Sequence, residues 1–142
     1  MNFVFIKRLL PIASWRRRPS SDHLRLGRRS ERAAARYLKQ RRWRILARNY
    51  RCAAGEIDLI AADGGSIVFV EVKTQTREDV RGGAVPVHPT QQDRIGRAAR
   101  IFLAASGLDD RSCRFDVIVV SWPARGGPRM QHVEDAFHPR GT

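Results

Sequence analysis

The sequence predicts an α/β domain, a mixed central sheet flanked by helices in the order α-β-β-β-α-β with a short last strand added. Three observations predict it. Apolar residues recur at helical spacing in two separate stretches, runs rich in β-branched and aromatic residues follow the first, and a nearly continuous apolar run follows the second. A strand, a helix and another strand in succession imply a right-handed crossover between parallel neighbours.

The first helix is expected over residues 31–41, because Ala34, Tyr37, Leu38 and Arg41 fall at i, i+3, i+4 and i+7 and Ser30 is placed as an N-cap. In WRILARNYR, Trp43, Ile45 and Ala47 alternate with Arg44, Leu46 and Arg48, the period of a half-buried strand. Gly55 opens a second strand, EIDLIAA, and the turn Asp63-Gly64-Gly65 joins it to a third, SIVFVEVKT, as an antiparallel hairpin. Residues 76–89 hold two glycines and two prolines with no lasting period and read as a mobile loop. Ile95, Ala98, Ala99, Phe102 and Leu103 then mark a helix over about 90–105 that Gly107 stops. CRFDVIVVSW follows, apolar enough to be covered on both faces, and residues 131–137 add an edge strand.

Composition bounds the function. The 142 residues carry 27 Lys+Arg against 14 Asp+Glu, a formal charge of +13, and are 42% hydrophobic. That is enough for one core and too short for two ordinary domains of roughly 100–150 residues each. Residues 1–29 hold eight basic side chains against Asp22 alone, so about half of the surplus lies in one fifth of the chain. Residues 1–27 are therefore read as a flexible arginine-rich arm and residues 28–142 as the domain. Such a surplus suits a polyanion partner, nucleic acid above all, although a solvated tail has the same composition. In the first fifteen residues Lys7 and Arg8 interrupt the apolar run and Pro11 ends it, so no signal peptide or membrane span is expected. Two cysteines, Cys52 and Cys113, without CxxC or Cys/His spacing point to reduced thiols in a cytoplasmic protein and not to zinc.

The chemistry concentrates in GEIDLIAADGGSIVFVEVKTQ. Strand alternation puts Glu56 and Asp58 on one face, and Glu71 with Lys73 on one face of the next strand. A turn centred on Gly64-Gly65 sets Asp58 opposite Glu71, about 5 Å away. Two opposed carboxylates among Ile57, Leu59, Val70 and Val72 are costly unless a divalent cation lies between them. Such a pair suits phosphodiester hydrolysis with Mg²⁺ or Mn²⁺, and Lys73, one of only three lysines in the chain, would orient water or meet developing negative charge. An ordinary ion-paired strand end is the competing reading.

An Asp in the second strand followed by Glu-x-Lys in the third resembles the PD-(D/E)xK nuclease superfamily, with Asp58, Glu71 and Lys73 on its motif positions. More closely, GEIDLIA and VFVEVKT with the upstream helix RRSERAAARYL, the strand RILARNYR and the later RFDVIVV resemble the YraN-like family of small bacterial proteins, from about Leu26 to Phe137. The resemblance implies a restriction-endonuclease-like fold related to archaeal Holliday junction resolvases. It further implies a Mg²⁺- or Mn²⁺-dependent endonuclease acting on structured or branched DNA as a homodimer, with Asp58, Glu71 and Lys73 catalytic and Asp58, Glu71 and Glu31 on the metal. Glu31 would equally serve as a dipole-favoured acid in the first helical turn. Ile57 stands where the superfamily has proline, and Gln91 and Gln92 stand where relatives place lysines. Arg94 and Arg97, with Gln75 beyond Lys73, are the nucleic-acid-binding candidates; Arg94, Arg97 and Arg100 also read as the wet face of a helix. The alternative function is a nucleic-acid-binding module of the same fold that does not cut. A third, recruitment of partners through the arginine arm, predicts that removing residues 1–27 abolishes function. His23, His88, His132 and His138 have no ligand spacing and receive no role, while packing is expected for Trp43, Tyr50 and Trp122.

Overall fold

The computed structural model describes residues 20–75 and 87–141. The elements are α1 (Ser21–Gln40), β1 (Arg44–Cys52), β2 (Gly55–Asp63), β3 (Ser66–Gln75), α2 (Pro89–Ala105), β4 (Cys113–Ser121) and β5 (Arg129–Val133). They form one five-stranded mixed sheet in spatial order β1-β2-β3-β4-β5. β3 and β4 are parallel across α2 and every other pair is antiparallel. The element order is the expected one, and the segment read as a mobile loop falls mostly on residues 76–86, outside the described residues.

Two cores sandwich the sheet. Against α2, Phe69 stacks on Phe115 at 5.4 Å and Phe115 meets Phe137 at 5.4 Å, with Ile95, Ala98, Ala99 and Leu103 supplying the helix stripe. Against α1, Leu38, Trp43, Val68, Val70, Ile118 and Val120 close the other face. β3 and β4 are buried on both sides, which is why their sequences lack polar alternation.

α1 starts ten residues before the expected position. Ser20 is its N-cap and accepts from the His23 backbone N–H, so Ser21–Gly27, assigned to the arm by charge, are helical; residues 1–19 lie outside the described residues. Leucine and arginine sustain a helix without an apolar stripe, which is why periodicity missed these turns. Ser30 is thus no cap but a fully buried residue inside the helix, whose hydroxyl accepts from Thr74 at 2.8 Å and from the Trp122 indole at 2.9 Å. Ser30→Ala is expected to lower unfolding free energy by about 1–3 kcal/mol by stranding these donors, as read by urea denaturation.

A bulge between Ile45 and Ala47 breaks the alternation expected of β1: Ile45 packs toward α1, Leu46 and Ala47 toward α2. β5 ends at Val133, earlier than expected, because the chain turns and drives Ala136 and Phe137 into the α2-side core, with Ala136 N–H bonded to the Phe115 carbonyl at 2.7 Å.

A second buried polar group organises the far side. Asp116 of β4, with no exposed surface, accepts from Arg114 Nε at 3.1 Å, His132 Nε2 at 2.8 Å and the Asp135 N–H at 2.9 Å. Arg114 also reaches Asp63 at 3.0 Å and lies over the Trp43 ring. His132 therefore has a structural place that spacing could not reveal.

Candidate active site

The β2–β3 hairpin runs from Asp63 opposite Ser66 to Leu59 opposite Val70, the register expected from Gly64-Gly65. One rung further, where Asp58 would face Glu71, regular pairing stops. Ile57 packs into the α2-side core and Leu59 into the α1-side core, whereas a regular strand would put both on one face. The strand therefore switches phase at Asp58. On the β1 side the matching rung, between the pairs Arg48 with Leu59 and Tyr50 with Ile57, holds Asn49 at φ 48°, a left-handed conformation that asparagine tolerates better than most residues. The Val72 N–H, for which a continuing ladder would supply a main-chain carbonyl, is satisfied by Asp58 Oδ2 at 2.8 Å. The expectation that Glu56 and Asp58 share a regular strand face is corrected accordingly.

Glu71 and Lys73 lie on the same β3 face as Phe69, looking at the start of α2, and both are buried. Lys73 Nζ is 3.1 Å from Glu71 Oε1. Gln91, in the first turn of α2, spans the pair: its Nε2 donates to Glu71 Oε1 at 2.6 Å and its Oε1 accepts from Lys73 Nζ at 3.1 Å. The amide supplies one donor and one acceptor where a lysine would supply donors only. Gln92 is buried and donates to the Val87 carbonyl at 2.9 Å, pinning the segment that enters α2.

Asp58 is electrostatically strained. Burial first, and the nearby Glu71 charge second, push its carboxyl up to about 8, against a smaller opposing effect of the Val72 hydrogen bond. Glu31 is raised too, first by burial, while a hydrogen bond from Asn49 works the other way. Glu31 belongs to a groove between α1 and β1 that it shares with Asn49, Arg28 and Glu56. Glu31, Asp58 and Glu71 thus feel one another, but among the described residues no three His, Cys, Asp or Glu side chains close into a metal-binding group.

The remaining candidates are placed as follows. Arg94 and Arg97 are exposed on α2, and Gly55, in ordinary contact distance of Arg94, is favoured as glycine by its positive φ of 149°. Gln75 ends β3 and accepts from Ser121 Oγ at 3.3 Å. Trp43 is in the core, Tyr50 packs edge-on against Phe102, and Trp122 lies under Arg29, all packing roles as expected. Asn49 is the site residue that sequence reasoning missed; an asparagine inside a strand-like run was its signal. Gln91 entered only as a departure from a lysine pattern. Among the described residues no helix is long and apolar enough to cross a membrane.

The segment that holds these residues is shared with known proteins. The model of "Uncharacterised protein family UPF0102" matches residues 30–120, from Ser30 in α1 to Val120 in β4. A UPF0102 protein of Geotalea uraniireducens is 42% identical over 117 residues, covering 82% of this chain and 92% of the relative. One from Geobacter sulfurreducens is 42% identical over 112 residues, with 79% and 88% covered. One from Symbiobacterium thermophilum is 43% identical over 114 residues, with 80% and 97% covered.

Proposed function

The chain belongs to the UPF0102 family, and from that premise we propose that it is a metal-dependent endonuclease of restriction-endonuclease-like fold, acting on structured or branched DNA. The observation that carries the proposal is the carboxylate pair of half-buried Asp58 and buried Glu71, placed where β2 leaves β3, with Lys73 following Glu71 on the same face. A fold does not need a carboxyl that burial and a neighbouring carboxylate hold in an unfavourable state, as Asp58 is held; a divalent cation relieves it.

The donor set fits a hard cation. Carboxylate oxygens suit Mg²⁺ or Mn²⁺, and Mg²⁺ is commonly held by one or two carboxylates while keeping several waters, so Asp58 and Glu71 would hold it with Glu31 acting from further out. Such an ion supplies charge neutralisation at the scissile phosphate and a bound water of lowered pKa. The residues of the chain do the rest. Asp58 must lose its proton to act, and its strained carboxyl does so readily only once cationic charge is close. Lys73, fixed by Glu71 and Gln91, presents an ammonium group where negative charge develops on phosphate. Arg94 and Arg97 on exposed α2, with Gln75 at the end of β3, are the groups proposed to meet the flanking backbone. A homodimer would supply two such centres for paired strands.

The non-cutting module has its own support: Gln91 Nε2 and Lys73 already occupy Glu71 Oε1, and no three-carboxylate group is preformed among the described residues. One experiment separates the readings. With Mn²⁺ or Mg²⁺, wild type is expected to cleave at least one of four-way, flap, single-stranded and duplex DNA. Asp58→Ala and Lys73→Ala are each expected to lose about a hundredfold or more in rate. DNA binding without cutting on any of these substrates would leave the module.

A further inference from the structure

At the other end of the sheet, three arginines line a cavity of about 450 Å³. Arg42 and Arg44 reach it from the start of β1 and Arg111 from the loop before β4. Along β2, Asp63 at the hairpin turn lies about 17 Å from Asp58 at roughly 3.4 Å per residue, so this cavity is separate from the candidate active site. Leu46, Ile67 and Leu108 supply apolar lining beside the arginines, and at the Gly64-Gly65 turn the absence of side chains leaves main chain open to a ligand.

Among the described residues the charge in this cavity has no carboxylate partner. Arg41, Arg51, Arg114 and Arg140 each have a carboxylate partner, whereas Arg42, Arg44 and Arg111 have none among the described residues. Asp63, next to the Gly64-Gly65 turn, is turned to Arg114 on the α1 side of the sheet, and Asp109 and Asp110, the latter adjacent to Arg111 in sequence, are not part of the lining. Like charges around one concavity repel one another and focus a positive potential into it, which an anion relieves. Guanidinium forks match phosphate oxygens in pairs, and the apolar side chains beside them suit a ligand with a flat or apolar body attached to that phosphate. The volume lies within the roughly 300–1,000 Å³ typical of small-molecule sites.

We propose that this cavity binds a phosphate ester carrying a nucleoside, with the phosphate on Arg42, Arg44 and Arg111 and the nucleoside against Leu46, Ile67 and Leu108. That chemistry has two sources, a free nucleotide and one unit of a nucleic-acid strand. The site does not depend on catalysis at Asp58.

The test is amide NMR of the full chain at physiological salt, titrated separately with adenosine 5′-monophosphate, inorganic phosphate and a short oligothymidylate. Shifts are expected at Gly64 and Gly65, with affinity about tenfold or more weaker in Arg44→Ala/Arg111→Ala and unchanged in Asp58→Ala. Both arginines are exposed, so the double variant keeps its core. Movement with oligothymidylate assigns the site to a strand; movement with the mononucleotide alone assigns it to a free nucleotide. The proposal is overturned if no probe moves these amides, if the double variant binds as wild type does, or if inorganic phosphate binds as tightly as the nucleotide.

Discussion

Asp58→Asn is expected to make the protein more stable at neutral pH, not less. The folded carboxyl is pushed up to about 8 from an ordinary 3.8, so across that window the folded state keeps a proton that the unfolded state has lost. Stability of the wild type therefore falls as pH rises from about 4 to about 8, and the penalty is complete above that. Asparagine carries no charge and still offers an oxygen to the Val72 N–H. The variant should match wild type near pH 4 and exceed it by about 2 kcal/mol or more at pH 8, since each tenfold change in proton affinity is worth about 1.4 kcal/mol. For a chain of this length that is a rise in Tm of roughly 5–10 °C. Millimolar Mg²⁺ should raise the Tm of wild type at pH 8 and leave Asp58→Asn unmoved, because only a cation that binds the folded carboxylates shifts the equilibrium. Thermal melts from pH 4 to 9, with and without Mg²⁺, check both. A less stable variant at pH 8 would show that Asp58 is a supporting group and not a poised one.

Asp116→Ala has the opposite sign. This aspartate is as buried as any residue in the core, but it is surrounded by donors: Arg114, His132 and the Asp135 N–H. Removing the acceptor leaves a largely buried guanidinium with Asp63 as its main remaining partner and strands two further N–H groups. The expected loss is about 3–5 kcal/mol, seen as a lower urea midpoint with little change in slope. Asp116→Asn keeps an acceptor and should lose less. If the alanine variant unfolds at the wild-type midpoint, the network does not anchor β4 to β5. The two aspartates show that burial alone does not decide a carboxylate's effect; what faces it does.

Of the candidate site, the part carried by the hairpin was legible. A two-residue Gly64-Gly65 turn and strict β alternation are local rules, and they place Glu71 and Lys73 on one face and bring Asp58 to the neighbouring rung. Gln91 could not be paired with Glu71 from sequence, because the two lie twenty residues apart across the segment 76–86 and only the packing of α2 on the sheet joins them. Nor could the phase switch at Asp58 be anticipated, since Asn49 takes its left-handed conformation in a neighbouring strand.

The sequence by itself determined the element order, the hairpin register, the apolar stripe of α2 and the double-sided burial of β4, all consequences of periodicity and turn chemistry acting within a few residues. Tertiary structure decided where α1 begins, that Ser30 packs against Trp122 and Thr74, that Asp116 gathers Arg114 and His132 on the far side, and that three arginines line one cavity. These depend on which distant groups share a low-dielectric interior or an exposed concavity. Coulomb and hydrogen-bond energies are set by that spatial company, which a linear pattern does not contain.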